Sequence, residues 1–336
     1  MDAINTSSCE FQREMATNIF YIIPELITVI SGLLAVVIMI YSFLRYGFRL
    51  LFHHNAKILM VLLSVFCLIF SLDAAFICIM QIVKSLTYTK DCDVVMLTSF
   101  CSTFRRIALT SFVGVSATQF FQMVERLIAT ILKQKYEMHT HWLGGILVLF
   151  SILTALLTIE WTLWNEDPSE EMTHCLTYSS SPTIGQRMYL VFYVLLIVDL
   201  IILFAFSFLY QHNKRKILTA ELSFKYQQKE NVQVLRALFP MVLINTIFVS
   251  SYILIAIVVR NFRNQMSIEN YRLFTINTFI FPYVSLFLSI TMVFTMKNEH
   301  RRKTQRIHAL EKKGTTINSQ LYFNLYESQW NRIQKL

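Results

Sequence analysis

Glycine, proline and charged residues are all scarce in this sequence. Its 336 residues include 7 Gly and 5 Pro, and 15% are charged, whereas a soluble domain averages roughly 25% charged residues. So little Gly and Pro excludes a loop-rich or low-complexity protein. The motifs Gly-x-Ser-x-Gly and His-Glu-x-x-His and a phosphate-binding glycine loop are absent from the sequence. We therefore expect neither a water-soluble fold nor an enzyme, and neither a cofactor nor a metal site.

Apolar and aromatic residues dominate instead, at 55% of the sequence by the broad count, with 28 Phe, 15 Tyr and 4 Trp. A helix needs about 20 such residues to cross the roughly 30 Å hydrocarbon core of a bilayer. Residues 1–18 lack the basic start of a secretory signal, so the first apolar run is interpreted as an uncleaved anchor. The sequence predicts an all-α membrane protein with a seven-helix bundle. Its seven spans are residues 19–44, 58–82, 99–131, 142–163, 188–210, 237–259 and 273–295.

Basic residues are divided unequally between the two sides of the bilayer. Of the 30 Lys and Arg residues, 21 fall on the side of the C-terminus and 9 on the side of the N-terminus. Cytoplasmic loops collect Lys and Arg, so the N-terminus is predicted to lie outside. The chain then divides into an extracellular tail (1–18), the bundle (19–296) and a cytoplasmic tail (297–336). The net charge of +9 indicates a basic inner surface rather than a nucleic-acid site, and the start of the tail is expected to form a short helix on the inner leaflet.

Cysteines and a glycosylation sequon fit this topology. Asn5 begins the sequon Asn-Thr-Ser in the N-terminal tail. Cys9, Cys92, Cys101 and Cys175 lie outside, where disulfides persist, and four cysteines allow three pairings. We predict the link between Cys101 and Cys175, because both lie at the outer surface, and leave the pairing of Cys9 and Cys92 open.

The third span is long enough to connect the two surfaces. Cys101 and Arg126 are 25 residues apart, or roughly 37 Å of helix, so they lie at its outer and inner ends. Arg126 follows Glu125, and a carboxylate that holds the arginine in one state can release it in another. The alternative is that Arg126 extends to the inner interface as a simple anchor.

The residues around this pair resemble a known family. Residues 125–130 (Glu-Arg-Leu-Ile-Ala-Thr) are similar to the end of the third helix in the nematode serpentine chemoreceptors of classes alpha and alpha/beta. Residues 52–57 (Phe-His-His-Asn-Ala-Lys) and 226–231 (Tyr-Gln-Gln-Lys-Glu-Asn), with Leu235 and Pro240 beyond them, fit the same pattern. The resemblance extends to about residue 310. It implies a seven-transmembrane receptor of a sensory neuron that couples to a G protein.

Coupling to the G protein is expected at the inner face of the bundle. The sequence matches the wider rhodopsin-like pattern only in part. Leu127 stands where a tyrosine would follow Glu-Arg, and the seventh span has Phe-Pro-Tyr at 281–283 instead of Asn-Pro-x-x-Tyr. The family and the basic inner surface together suggest which residues meet a G protein. They are Glu125, Arg126, Lys214, Arg215, Lys229 and Arg236.

Polar residues within the spans are expected to face the bundle interior, because charges in lipid are costly. Asp73 and Tyr283 lie at similar depth, about 23 and 20 Å from the inner ends of their spans; an ion site, a hinge and a plain hydrogen bond are all open. Asp199 and Asn245 favour a static pair over a ligand contact. Glu25 is placed within reach of outer water.

Arg105 and Arg106 lie one turn inward from Cys101, at the depth where ligand cavities open in receptor bundles. The two arginines fit an acidic ligand. They fit a structural lid equally well. The acidic partners for such a lid are Glu166, Asp167, Glu170 and Glu171 of the second outer loop.

The sequence therefore favours a receptor that binds a small chemical among the outer halves of spans 3, 5, 6 and 7 and activates a heterotrimeric G protein. One alternative is an odorant-gated ion channel, whose expected inverted topology the charge bias opposes. Another is a transporter, which the lack of internal repeats opposes. Expected partners are the bilayer, a small ligand and the G protein, at the plasma membrane of sensory neurons.

Overall fold

The computed structural model describes residues 2–46, 54–132, 142–168, 171–172, 174–175, 182–216, 222–262, 265–277 and 281–314. These residues form nine helices, with one short 3₁₀ turn at Asp91–Val94 and a pair of two-residue strands, β1 (Met96–Leu97) and β2 (Glu171–Met172). The helices are α1 (Asp2–Thr17), α2 (Ile19–Tyr46), α3 (His54–Thr87), α4 (Thr98–Leu132), α5 (Leu143–Thr162), α6 (Pro182–Lys216), α7 (Leu222–Asn261), α8 (Ile268–Asn277) and α9 (Phe281–Gly314).

Six of these helices, α2 to α7, are long and apolar enough to cross a membrane. They coincide with the first six predicted spans. The seventh predicted span falls on α8 and α9, on either side of residues 278–280, which lie outside the described part of the chain. The fold is thus the predicted seven-transmembrane bundle. Its helices α6 and α7 extend beyond the predicted spans, α6 to Lys216 and α7 from Leu222.

The third span, α4, is the central helix of the bundle. It packs against α3, α5, α6 and α7, while α9 closes the other side against α2, α3 and α7. Gly114 permits the close approach of α4 to α3, because a Cβ there would lie 2.7 Å from the ring of Phe66. The outward faces of α2, α5 and α6 present exposed Leu, Ile, Val and Phe side chains, as expected for surfaces in contact with lipid.

The outer surface is fastened by two disulfides. Cys101 of α4 is bonded to Cys175, as predicted, and the adjacent strands pair antiparallel through Met96 and Met172. Cys9 is bonded to Cys92, the pairing that the sequence left open. This bond fastens α1 to the 3₁₀ turn, so the segment interpreted as a tail is a helix, with Asn5 in its first half.

The C-terminal end of the seventh span differs from expectation. The basic run after residue 296 does not form a separate surface helix, because α9 continues without a break from Phe281 to Gly314. No Pro or Gly interrupts residues 295–313, so the helical hydrogen bonds continue through the predicted boundary.

Candidate functional site

The predicted pair at the inner end of α4 is a buried cluster. Arg126 is 2% exposed and Glu125 is 1% exposed. The Arg126 guanidinium donates to both carboxylate oxygens of Glu125 through Nε and Nη2. Nη1 of the same group donates to Oδ1 of Asn231 on α7 across 3.1 Å. The anchor interpretation, which needs the guanidinium outside the protein, disagrees with this burial.

This cluster extends to a third helix through Thr130 and Asn213. Thr130 lies one turn beyond Arg126, and its hydroxyl donates to the Arg126 carbonyl across 2.8 Å. The same hydroxyl oxygen accepts from Nδ2 of Asn231 at 2.8 Å and from Nδ2 of Asn213 at 3.1 Å. Asn213 is on α6 and Asn231 on α7. We call Glu125, Arg126, Thr130, Asn213 and Asn231 the inner cluster; it joins α4, α6 and α7 through side-chain hydrogen bonds.

The inner cluster is bordered by part of the predicted basic face. Lys214 and Arg215 at the end of α6 are exposed, as is Lys229 on α7, whereas Arg236 is half-buried. The three exposed cations lie close in sequence to Asn213 and Asn231. A change in how α6 and α7 are held at the inner cluster would therefore move these cations.

Arg105, at the outer end of α4, contacts the protein itself. Its side chain is buried, with Nη1 on Glu166 Oε1 and Nε donating to the Cys175 carbonyl across 3.3 Å. Arg106 points elsewhere and pairs with Glu160 of α5, both side chains being partly exposed. The structural lid foreseen from the sequence is thus present for Arg105, and its guanidinium is occupied by Glu166. Glu160 was not considered as a partner because it lies within the fourth span.

Asp199 and Asn245 are brought together as expected. Asn245 Nδ2 donates to Asp199 Oδ2 across 3.2 Å, and the Ser116 hydroxyl lies 3.4 Å from the same oxygen. Asn245 Nδ2 also lies 3.4 Å from Ser116 Oγ. Asp199 is 1% exposed. The three residues, which we call the central cluster, connect α4, α6 and α7 midway through the bundle.

Two other polar residues of the spans, Asp73 and Glu25, have surroundings that differ from those expected. Asp73 is buried, and its Oδ2 has no hydrogen-bond partner within the described part of the chain, the half-buried Tyr283 included. Glu25 is buried, with Oε1 3.3 Å from Nε2 of His174 in the second outer loop. Glu25 was expected within reach of outer water, and its side chain is instead enclosed by the protein. His174 was missed because no spacing in the sequence connects a loop histidine with the first span.

A cavity of about 580 Å³ lies between α4, α5 and α6. The ligand site was predicted among spans 3, 5, 6 and 7. The cavity shares spans 3 and 5 (α4 and α6) with that prediction, but its third wall is span 4 (α5) instead of spans 6 and 7. Its size falls within the range of small-molecule sites. The lining residues are Val113, Ser116, Ala117, Phe120, Phe121, Thr154, Leu157, Thr158, Trp161, Leu190, Val191, Val194, Leu195 and Val198.

A seven-transmembrane bundle with a disulfide at the outer end of its third helix and a buried arginine at the inner end defines a membrane receptor of the serpentine type. A sequence profile described as "Serpentine type 7TM GPCR receptor class ab chemoreceptor" matches residues 6–331. The chain belongs to this family.

Individual relatives agree with the family. Serpentine receptor class alpha-39 of Caenorhabditis elegans is 29% identical over 303 residues, which cover 89% of this chain and 80% of the relative. Serpentine receptor class beta-16 of the same organism is 25% identical over 341 residues, which cover 99% of both chains. Serpentine receptor class beta-3 is 26% identical over 261 residues, or 76% of this chain and 75% of the relative. The resemblance drawn from the motifs is thereby confirmed.

Proposed function

We propose that this protein is a chemosensory receptor that binds a small chemical in the outer half of its bundle and activates a heterotrimeric G protein at its inner face. The observation that carries the proposal is the inner cluster, in which one arginine of α4 holds an asparagine of α7. Membership of a chemoreceptor family supports the sensory role. We place the receptor in the plasma membrane of sensory neurons, with residues 1–18 outside and 297–336 inside.

The proposed activation is a shift between two arrangements of α6 and α7 relative to α4. In the described arrangement, Arg126 is held by Glu125 and Asn231, and Thr130 accepts from Asn213 and Asn231. A ligand that binds more tightly to an arrangement without these bonds increases its population by its differential affinity alone. The released inner ends, with Lys214, Arg215, Lys229 and Arg236, would then meet the G protein.

The test is a ligand screen in cells that carry the receptor, in which second messengers and membrane current are recorded together. A receptor of this kind should change cAMP or calcium in response to its ligand, and depletion of the Gα subunit should abolish the response. A current that survives Gα depletion would instead favour the ligand-gated channel. The proposal would be refuted by a ligand that demonstrably binds the receptor but elicits no response that depends on Asn231 or Arg126.

A further inference from the structure

The cavity between α4, α5 and α6 opens sideways rather than toward the outer surface. Its rim residues Leu157, Trp161, Leu190 and Val194 are exposed on the lipid-facing side of the bundle, whereas residues at its floor are buried. Apolar side chains that are exposed at this depth of a membrane protein contact lipid. The opening therefore faces the bilayer, and a molecule dissolved in the hydrocarbon can reach the floor without crossing the outer loops.

The opening exists because α5 and α6 each pack extensively on α4 and only briefly on one another. The floor contributed by α4 is formed in part by two small residues, Ser116 and Ala117. Lipid is as apolar as the side chains around it, so no hydrophobic force drives α5 and α6 together. An occupant of the cavity therefore replaces lipid rather than water.

The lining sets the chemistry of the occupant. No lining residue is charged; the hydroxyl-bearing ones are Ser116, Thr154 and Thr158, and Trp161 adds one indole N–H. The Thr158 hydroxyl already donates to the Thr154 carbonyl across 2.7 Å within α5. Phe120, Phe121 and Trp161 supply aromatic walls. A largely apolar body fits this space, and its single polar end is best placed at Ser116.

Behind Ser116, the central cluster offers hydrogen-bond acceptors. Oδ1 of Asp199 and Oδ1 of Asn245 are buried and have no hydrogen-bond partner among the described residues. A buried polar group without a partner costs about 1–3 kcal/mol. The Ser116 hydroxyl is directed as a donor at Asp199 Oδ2 and its oxygen remains an acceptor, so a donor supplied at Ser116 is favoured over an acceptor. An arrangement of this kind is complementary to a hydroxyl or amine group and not to a carboxylate.

We propose that this cleft binds a small lipophilic molecule with one hydrogen-bond-donating end, such as a medium-chain alcohol, which enters from the bilayer and places that end at Ser116. This inference adds to the proposed function the class of ligand and its route of entry. It rests on the proposed function for the claim that binding changes G-protein signalling. Ser116 contacts both Asp199 and Asn245, so the donor competes for the bonds that join α4, α6 and α7. Arg126 lies about 15 Å further along α4.

The test uses purified receptor in phosphatidylcholine vesicles and a diazirine derivative of decan-1-ol as the photoreactive probe. We expect saturable labelling of peptides that contain residues 113–121 or 190–198, and competition by decan-1-ol. Decane, which lacks the donor, should compete about 5- to 10-fold less well, as expected for one hydrogen bond. Ser116→Ala should weaken decan-1-ol by a similar factor. No G protein is present, so failed labelling refutes this site while leaving the proposed signalling function intact.

A bulky residue at the rim supplies the structural control. Val194→Trp should block the opening and abolish specific labelling. Ile197→Trp is the matched control on the same helix and should leave labelling unchanged, because Ile197 is lipid-exposed like Val194 but does not line the cavity. Leu190→Trp repeats the test at a second rim position. Labelling that is not saturable, that spreads evenly over all lipid-facing helices, or that persists in both rim variants would overturn the proposal. Equal competition by decane and decan-1-ol would overturn the assignment of a donor at Ser116.

Discussion

Arg126 of α4 donates from Nη1 to Asn231 of α7 across 3.1 Å, while its other two nitrogens donate to Glu125. Together with the bond from Asn231 to Thr130, this contact connects α4 with α7, the helix that carries Lys229 and Arg236. The charge of Arg126 stays compensated with or without Asn231, because Glu125 lies next to it on the same helix. Asn231 is thus the partner that can be released at low cost.

Asn231→Ala should raise basal signalling. The substitution removes the contacts of α7 with Arg126 and Thr130 but leaves the charge of Arg126 compensated by Glu125. Loss of two hydrogen bonds shifts an equilibrium by about 1–3 kcal/mol, or roughly 5- to 150-fold. The measurement is ligand-free cAMP or calcium at matched surface expression. Basal signalling equal to that of the unmodified receptor would contradict a restraining role for this contact.

Thr130→Val should have a smaller effect in the same direction. Valine keeps the shape of threonine but removes the hydroxyl that accepts from Asn213 and Asn231. Thr118→Val is the matched control, since the Thr118 hydroxyl is buried on the same helix and donates only to Gly114 of its own helix. Basal signalling should rise in Thr130→Val and stay unchanged in Thr118→Val. An equal response of the two variants would mean that the hydroxyl acts within α4 alone.

Arg126→Ala should lower surface expression as well as signalling, which differs from what an exposed pair would predict. Removal of one partner of a buried ion pair costs about 3–5 kcal/mol, because the remaining charge stays uncompensated; here the carboxylate of Glu125 would be left in a buried site. The double variant Glu125→Ala/Arg126→Ala removes both charges and should recover surface expression. It should not recover ligand-stimulated signalling, because Glu125 and Arg126 are themselves among the residues expected to meet the G protein. Surface labelling and ligand-stimulated G-protein activation distinguish these outcomes. Full signalling by the double variant would exclude the pair from the switch.

The long apolar runs made the bundle predictable, because a run of about 20 such residues has few other solutions. Glu125 and Arg126 were found for a similar reason, as adjacent charges at the end of a span. Their partners were not. Asn213 and Asn231 meet Thr130 only through the rotation of α6 and α7 about their axes, and an isolated asparagine carries no periodic signal.

Contacts between loops and spans were the other limit. His174 reaches Glu25, and Glu166 reaches Arg105, through a loop whose path no local pattern specifies. The charge of Glu166 made it a candidate, whereas a lone loop histidine was not distinguishable from an exposed one. The lateral cavity could not be foreseen either, because it depends on the distance between α5 and α6 rather than on any residue within them.

Loss of the Cys9–Cys92 disulfide should free α1 while leaving the bundle intact. The bond fastens α1 to the turn at 91–94, where Arg13 also donates to Asp91 across 2.9 Å. Disulfides typically contribute about 2–4 kcal/mol, here to the docking of one outer helix. In Cys9→Ser, mild trypsin on intact cells should cleave at Arg13 faster, while Cys78→Ala, which removes a free buried cysteine, should not change the rate. Unchanged cleavage in Cys9→Ser would show that other contacts hold α1.

The pair Arg105–Glu166 should be a folding element, in contrast to the neighbouring pair Arg106–Glu160. Arg105 and Glu166 have side chains that are 1% and 3% exposed, against 37% and 56% for Arg106 and Glu160. Breaking the buried pair should cost about 3–5 kcal/mol, whereas an exposed pair contributes at most about 1 kcal/mol. Arg105→Glu should therefore lose most surface expression, and addition of Glu166→Arg should recover part of it by restoring opposite charges. Arg106→Glu, the matched control one residue away, should express almost normally. If Arg105→Glu expresses as well as Arg106→Glu but no longer responds to ligand, Arg105 contacts the ligand instead of closing the lid.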